Sequence, residues 1–179
     1  MTPAPTLSTL ATPSTDADVG SVVSALTTEL AATSEMEPLL ARFLVSIVAL
    51  AGAQAGAVRV LTDDGQSMRL VAQQGLPAQV LSAEQLVARD CGMCGIASSS
   101  DVLGWVDDVR SCAQHGTESY FGVQCKSVLA ISLPHDGQML GIYNLFFEAD
   151  AHLSEQTQTI LRLIGQLLGL TLHNARIER

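Results

Sequence analysis

Residues 127–147 read SVLAISLPHDGQMLGIYNLFF, and this stretch decides the fold. An apolar run over residues 127–133 and a second run over 138–147 flank the turn sequence Pro-His-Asp-Gly. Proline and glycine are typical of the tight turns that join neighbouring strands. The stretch therefore predicts an antiparallel β-hairpin.

A second pair of strands is predicted upstream, over residues 58–61 and 68–72. Apolar side chains recur there with a period of two, which is the side-chain period of a β-strand. The sequence Asp-Asp-Gly at 63–65 lies between the two segments and is typical of a turn. Together with the hairpin, these segments predict an antiparallel sheet.

Helices are predicted near both ends of the chain, because apolar residues recur there at three- and four-residue steps. The first helix is expected over residues 18–33. The second begins at the capping-box pair Ser34 and Glu37, and the last begins at Ser154 and is rich in leucine. Residues 1–17 contain three prolines and no aromatic residue, so we expect a disordered tail there.

The segment between the two strand pairs is predicted to hold a short helix and a long loop. Ser82 and Gln85 form a capping pair, which predicts the helix over residues 82–88. Residues 90–124 are rich in Gly, Ser, Cys and Asp and are expected to form the loop. The element order predicts one α+β domain over residues 18–179, with helices packed on one face of an antiparallel sheet and the loop over the other.

The charge of the chain excludes several classes of partner. It has 9 basic and 18 acidic side chains, a formal net charge of −9, so its long-range field repels nucleic acid and anionic membranes.

The sequence also shows no membrane-spanning or targeting segment. The most apolar stretch, residues 39–53, is interrupted by Arg42 and Ser46 and is too short to span a bilayer. Because the first basic residue is Arg42, no secretory signal is indicated either. We therefore expect a cytoplasmic protein.

Five segments, taken in order, resemble the GAF domain, the ligand-binding module of many bacterial sensors. They are GMCGIA at 92–97, VDDV at 106–109, the two hairpin strands, and the Leu-Ser-Glu at 153–155 that opens the last helix. The resemblance covers residues 20–175 and implies the fold described above. It also implies a role in signal transduction.

Within that family, CGMCG at 91–95 and LGIYNLFF at 140–147 most resemble the cysteine-bearing GAF domain of nitrate/nitrite sensor histidine kinases. The resemblance implies a sensor that binds a redox cofactor or a small ligand. Because the sequence shows no transmembrane helix, kinase core or ATP site like those of the kinases, we expect a stand-alone sensor. Such a sensor would signal to a partner protein, such as a histidine kinase. In GAF domains the terminal helices pair with those of a second chain, which implies a homodimer through residues 18–33 and 154–175.

The cysteines are the main candidates for binding a cofactor. Cys91, Cys94, Cys112 and Cys125 all lie in the loop-rich segment. A two-residue gap lets the first two thiolates reach one metal, and the other two could complete a four-thiolate shell. We predict an iron–sulfur cluster at these residues, with zinc as the alternative metal and His115 as an alternative ligand. Thiol redox chemistry and simple packing are the other open interpretations.

An enzymatic alternative is a resemblance to free methionine-(R)-sulfoxide reductases, which use a nucleophilic and a resolving cysteine. Cys94 lies in Gly-Met-Cys-Gly, similar to the Gly-Val-Cys-Gly of those enzymes, and Cys125 or Cys112 would be the resolving partner. The chain departs from the pattern further on. FGVQCK at 121–126 and SVLAISL at 127–133 stand where those enzymes have GHIACD and SEIVVPL.

Three aromatic residues are predicted to line a ligand pocket: Trp105, Tyr120 and Phe121. Trp105 is the only tryptophan and lies in a short apolar piece at 102–106, with core packing as its alternative role. The other two lie in the loop and could shape the mouth of the pocket. The sequence contains no Ser/His/Asp arrangement, phosphate loop or H-E-x-x-H motif that would indicate another activity.

Overall fold

The structure is a computed structural model that describes residue 24 and residues 36–91, 103–106, 125–149 and 151–177. The helices in these ranges are α1 (Met36–Ala51), α2 (Ala78–Ala83) and α3 (Glu155–Ile177). The strands are β1 (Ala55–Leu61), β2 (Ser67–Gln74), β3 (Leu86–Ala88), β4 (Leu103–Val106), β5 (Ser127–His135) and β6 (Gln138–Phe147). Except for Ser24, the predicted tail and first helix lie outside the described residues.

The strands of the described residues form one six-stranded sheet in the order β3-β2-β1-β6-β5-β4, and every neighbouring pair is antiparallel. The predicted hairpin is confirmed, with Ser127 opposite Phe147 and His135 opposite Gln138. Asp136 and Gly137 in its turn have φ angles of 48° and 72°, the left-handed geometry that tight hairpins favour. The predicted α+β class is also confirmed, with the long helices α1 and α3 on one face of the antiparallel sheet.

The main core lies between the sheet and the two long helices. α1 lies over β1 and β2, and α3 lies over β5 and β6. The core is built from one face of each helix and from alternate residues of the central strands. These residues include Leu40, Phe43, Leu44, Ile47, Val58, Leu129, Ile131, Tyr143, Leu145, Leu161, Ile164 and Leu168.

The opposite side of the sheet, which we call the distal face, carries the other alternate residues of the same strands. Its apolar members include Ala57, Met68, Leu70, Val128, Ala130, Ile142 and Phe146. Val80 of α2 packs against this face. Because both faces of the central strands are covered, β5 and β6 are apolar almost throughout.

The short helix predicted over residues 82–88 is wrong in its position. The helix α2 ends at Ala83, and residues 86–88 form β3, which pairs with β2. Nε2 of the Gln85 side chain donates to the backbone carbonyl of Leu81 at 2.8 Å, so this side chain does not cap a following helix. Pairing with the free edge of β2 therefore outweighs the local capping pattern.

The start of the last helix follows the prediction. The backbone N–H of Thr157 donates to Oγ of Ser154 at 3.1 Å, which is the N-cap geometry expected for a serine. Among the helices of the described residues, none has the length and apolar character that crossing a bilayer requires.

Candidate functional site

A buried ion pair lies on the distal face. Nη2 of Arg59, on β1, is 2.6 Å from Oε2 of Glu84, the residue that follows α2. The two side chains are only 4% and 5% exposed. Charges removed from water need hydrogen bonds on their remaining donors as well as an opposite charge. Nε of Arg59 is nevertheless buried without a hydrogen-bond partner in the described part of the chain.

Asn144 supplies a second unpartnered donor on the same face. It lies on β6 in the middle of the sheet, and its Nδ2 atom is also buried without a partner among the residues described. Backbone pairing places Asn144 opposite Ala57, and Ile142 opposite Arg59. Arg59 and Asn144 are thus diagonal neighbours, a relationship that separates residues by about 7–8 Å. One small molecule could therefore contact both donors.

The two described cysteines both lie beside this face. Cys91 and Cys125 are half-buried thiols that form no disulfide, and both pack against the same apolar cluster. Burial raises the pKa of the Cys125 thiol to about 11, and the charge of Glu148 acts in the same direction. Because the thiolate is the form that attacks sulfur, Cys125 is a weak nucleophile at neutral pH.

The predicted four-cysteine site extends beyond the described residues, since Cys94 and Cys112 both lie outside them, as does His115. Within the ranges that the structure describes, no group of three or more His, Cys, Asp or Glu side chains is placed to hold a metal ion. Cys91 and Cys125 supply two soft thiol donors beside one apolar cluster, and a metal bound there would release the proton of the Cys125 thiol. The iron–sulfur cluster and the zinc alternative stay predictions.

Trp105 lies on the helix-facing side of the sheet, opposite the face of the cysteines. It pairs with Leu129 of β5, and its ring centroid is 5.6 Å from that of Phe147. It packs against the core beneath α1 and α3, which is the packing role considered for it as the alternative to pocket lining. Tyr120 and Phe121 lie outside the described residues.

A small cleft opens at the end of the sheet beside Cys125. It is lined by Gln54, Ala55, Gly75, Cys125, Phe146, Phe147 and Glu148. Its volume of about 110 Å³ holds only a few water molecules. Ligand pockets usually measure roughly 300–1,000 Å³, so this cleft alone does not form one.

Arg59, Glu84 and Asn144 were missed by sequence analysis. For Arg59 and Asn144, the sequence signal is that their strands are otherwise apolar, which is typical of strands covered on both faces. A polar residue in such a strand is buried, and a buried polar residue needs a partner. Glu84 follows a six-residue helix, and no sequence pattern indicates that it meets Arg59.

Comparison with known proteins identifies the family. The family model for the GAF domain matches residues 33–173. One similar solved structure is the GAF domain of a phosphoenolpyruvate-protein phosphotransferase from Coxiella burnetii, with a TM-score of 0.75 and 18% identity, covering 90% of this chain and 96% of that chain. No curated protein matches the chain.

Two further solved structures come from different functional classes. One is free methionine-R-sulfoxide reductase from Neisseria meningitidis in complex with its substrate, with a TM-score of 0.73 and 17% identity, covering 97% of this chain and 99% of that chain. The other is the GAF domain of a protein described as a sensor histidine kinase from Pseudomonas syringae pv. tomato. Its TM-score is 0.66 at 18% identity, with 90% of this chain and 91% of that chain covered.

The antiparallel sheet and its helices form an α+β domain with the fold of the solved GAF domains. The chain belongs to the GAF domain family.

Proposed function

We propose that this GAF domain is a sensor that binds a small molecule on the distal face of its sheet. The observation that carries the proposal is the pair of buried donors, Nε of Arg59 and Nδ2 of Asn144, which have no partner among the described residues. Leaving a buried polar group unpaired costs about 1–3 kcal/mol. A ligand that accepts hydrogen bonds from both atoms would remove that cost.

The same strand that carries Asn144 contacts the helices on the opposite side. Tyr143 is fully buried, and its hydroxyl donates to the carbonyl of Leu161 in α3 at 2.6 Å. Asn144 and Tyr143 are consecutive residues of β6. A ligand that shifts Asn144 would therefore also shift Tyr143 and its hydrogen bond to α3. Ligand occupancy would favour one of two helix positions, which a partner protein could recognise.

A second copy of the chain is the first partner that we propose. On α3, Leu163, Leu167, Leu170 and Asn174 follow alternating four- and three-residue steps, the spacing of a coiled-coil seam. Leu163 is 53% exposed and Leu170 is 44% exposed, although both are apolar. Pairing of two such helices would cover this stripe and form the homodimer expected from the resemblance.

A fragment screen observed by NMR tests the proposal. In protein with labelled alanine methyl groups, we expect bound fragments to shift the signals of Ala57 and Ala130 on the distal face. Ala72 lies on the helix-facing side of β2 and is the internal control. Nitrate and nitrite belong in the screen, because the sequence resembles nitrate/nitrite sensors. If no compound moves the two distal signals, the proposal is wrong.

Thiol chemistry is the second candidate, because the likeness to methionine-R-sulfoxide reductase covers nearly the whole chain. In that reaction two thiols become a disulfide and the sulfoxide oxygen leaves as water. The high pKa of Cys125 favours Cys94 and Cys112 as the reacting pair. Turnover of free methionine sulfoxide with a thiol reductant should disappear in Cys94→Ser and persist in Cys125→Ser. Absence of turnover in the wild-type protein would reject this candidate.

The iron–sulfur cluster is tested by a separate measurement. Anaerobically purified protein should contain iron and sulfide in near-stoichiometric amounts and absorb visible light. Both properties should be lost in Cys91→Ser and Cys94→Ser. Colourless, iron-free wild-type protein would reject the cluster and leave the small-ligand proposal in place.

A further inference from the structure

We infer that the ligand of the distal face is an uncharged molecule that presents a carbonyl-type acceptor oxygen on a flat, apolar body. This inference rests on the proposed ligand-binding function and specifies the chemistry of the ligand. It follows from three features of the face: a row of small residues between bulkier ones, two unpartnered donors, and the ion pair of Arg59 with Glu84.

A row of small residues crosses the distal face. Backbone pairing aligns Ala57, Asn144, Ala130 and Gly104 on the adjacent strands β1, β6, β5 and β4. Neighbouring strands are about 4.8 Å apart, so the row is roughly 14 Å long. Methyl groups and a glycine form most of its floor, and that floor suits an apolar molecule.

Bulkier residues flank this row on both sides. Leu70, Arg59 and Ile142 are aligned on one side, and Phe146 and Val128 are aligned on the other. Because successive residues on one face of a strand are about 7 Å apart, the small row forms the floor of a narrow trough between two ridges. The chain itself covers this trough in the ligand-free protein, since Ala57 and Ala130 are 0% exposed. A ligand must therefore displace that cover, and a flat molecule displaces less of it than a branched one.

The two unpartnered donors lie in this trough. Asn144 is part of the floor and is 2% exposed, and Arg59 is part of a ridge and is 3% exposed. Nε of arginine and Nδ2 of asparagine donate hydrogen bonds and accept none. The group that satisfies them must therefore be an acceptor, and one carbonyl oxygen has two lone pairs to offer.

The charge of the site favours an uncharged acceptor over an anion. The guanidinium of Arg59 is already paired with the carboxylate of Glu84 at 2.6 Å. An anion bound at Nε would add a second negative charge beside the same buried guanidinium. Burying a charge that is not fully compensated costs far more than burying an amide or ketone.

Three probes with one ring and different charges test the inference: benzamide, benzoate and benzylammonium. We expect benzamide to shift the methyl signals of Ala57 and Ala130, and benzoate and benzylammonium to bind at least tenfold more weakly. In Asn144→Leu, benzamide binding should weaken by about tenfold, which corresponds to the roughly 1.4 kcal/mol that a buried hydrogen bond contributes. Gln74→Leu removes an amide from an exposed strand position and should leave the affinity unchanged.

The outcomes separate this inference from the proposed function. Benzoate that binds as tightly as benzamide would overturn the inference, because the site would then accept anions. The inference also falls if other fragments of the screen shift Ala57 and Ala130 and benzamide does not, whereas the proposed function then holds. If no compound shifts these signals, both fall.

The stability of the ligand-free protein provides a readout that does not depend on binding. Asn144→Leu replaces an unpartnered buried amide with an apolar side chain of similar size, so the melting temperature should rise by about 2–4 °C. A purely structural asparagine would give the opposite sign. A lower melting temperature in Asn144→Leu would therefore contradict the assignment of Asn144 to a ligand site.

Discussion

Nη2 of Arg59 lies 2.6 Å from Oε2 of Glu84, and this contact joins two segments that are 25 residues apart in the sequence. The same nitrogen also reaches the backbone carbonyl of Glu84 at 3.5 Å. Glu84 is the C-cap residue of α2 and directly follows Ala83. The pair therefore holds the end of α2 against β1 and fixes one ridge of the distal face.

Removal of either partner of this pair should destabilise the protein strongly. Arg59→Met or Glu84→Leu alone leaves the other charge buried without its partner in this pair, at a cost of about 3–5 kcal/mol. The double variant should recover most of that loss, because two apolar side chains then pack where two charges were. Urea unfolding of the four proteins measures the coupling free energy.

An exposed ion pair in the same chain is the control. Nη1 of Arg69 lies 2.9 Å from Oε1 of Glu37, but the side chains are 51% and 56% exposed. The corresponding cycle with Arg69→Met and Glu37→Leu should give less than about 1 kcal/mol of coupling. Equal coupling in the two cycles would show that burial does not strengthen the Arg59–Glu84 contact.

The elements that could be predicted from the sequence are those with a long, regular pattern. The two strands of the hairpin are long apolar runs on either side of a turn sequence, and the helix after Ser154 extends over several helical turns. The helix predicted over residues 82–88 had only a capping pair in its favour. Pairing of Leu86 with Arg69 on a distant strand decided that segment, and a local pattern does not contain this information.

The candidate site was beyond sequence reasoning for a related reason. Arg59 is the one charged residue of the otherwise apolar strand β1, and nothing along the strand indicates which residue meets it. Its burial depends on α2 and on Glu84, which meet it only in the folded chain. Cys91 and Cys125 could be named as candidate ligands from the sequence. The burial that raises the pKa of Cys125 could not be predicted, because it depends on strand packing.

Replacing either of two glycines of α3 by alanine should destabilise the protein. A Cβ atom at Gly165 would lie 2.7 Å from the carbonyl oxygen of Ser132, and one at Gly169 would overlap the carbonyl oxygen of Pro134. Helix propensity alone favours alanine by about 1 kcal/mol. Overlap with the backbone of β5 outweighs that gain, because overpacking against a fixed neighbour costs about 1–3 kcal/mol or more.

Chemical unfolding of Gly165→Ala and Gly169→Ala measures this balance. We expect both variants to be less stable than the wild-type protein, and Gly169→Ala to be the less stable of the two. Gln166→Ala, at an exposed position of the same helix, should change the stability by less than about 0.5 kcal/mol. A stabilised Gly169→Ala would mean that α3 does not approach β5 so closely.

The hydroxyl of Tyr143 should contribute measurably to stability. It donates to the carbonyl of Leu161 at 2.6 Å, and the tyrosine side chain is completely buried. Tyr143→Phe keeps the ring and removes this hydrogen bond, so the free energy of unfolding should fall by about 1 kcal/mol. Denaturant unfolding provides the measurement.

A threonine of α3 provides the comparison for Tyr143. The hydroxyl of Thr171 donates to the carbonyl of Leu167 at 2.8 Å, within a single turn of the helix. Because that bond joins nothing distant, Thr171→Val should change the stability by less than about 0.5 kcal/mol. If Tyr143→Phe and Thr171→Val lower the free energy of unfolding equally, the hydrogen bond between β6 and α3 stabilises the protein no more than a bond within one helix turn.

Alkylation of Cys125 should depend on pH in a way that distinguishes the folded from the unfolded chain. Burial raises the pKa of this thiol from 9.0 to about 11. Only the thiolate reacts with iodoacetamide, so the folded protein should reach half of its maximal rate near pH 11. In urea the same residue should do so near pH 9.0, as site-resolved mass spectrometry would show.

The same shift fixes the sign of a contribution to stability. Between pH 9.0 and about 11 the folded state holds a proton on Cys125 that the unfolded state releases. The contribution is therefore fully present below pH 9.0 and is lost as the pH rises through this window. Glu148→Gln should lower the pKa of Cys125 only slightly, because burial is the larger cause. Half-maximal alkylation near pH 9.0 in the folded protein would contradict the burial of this thiol.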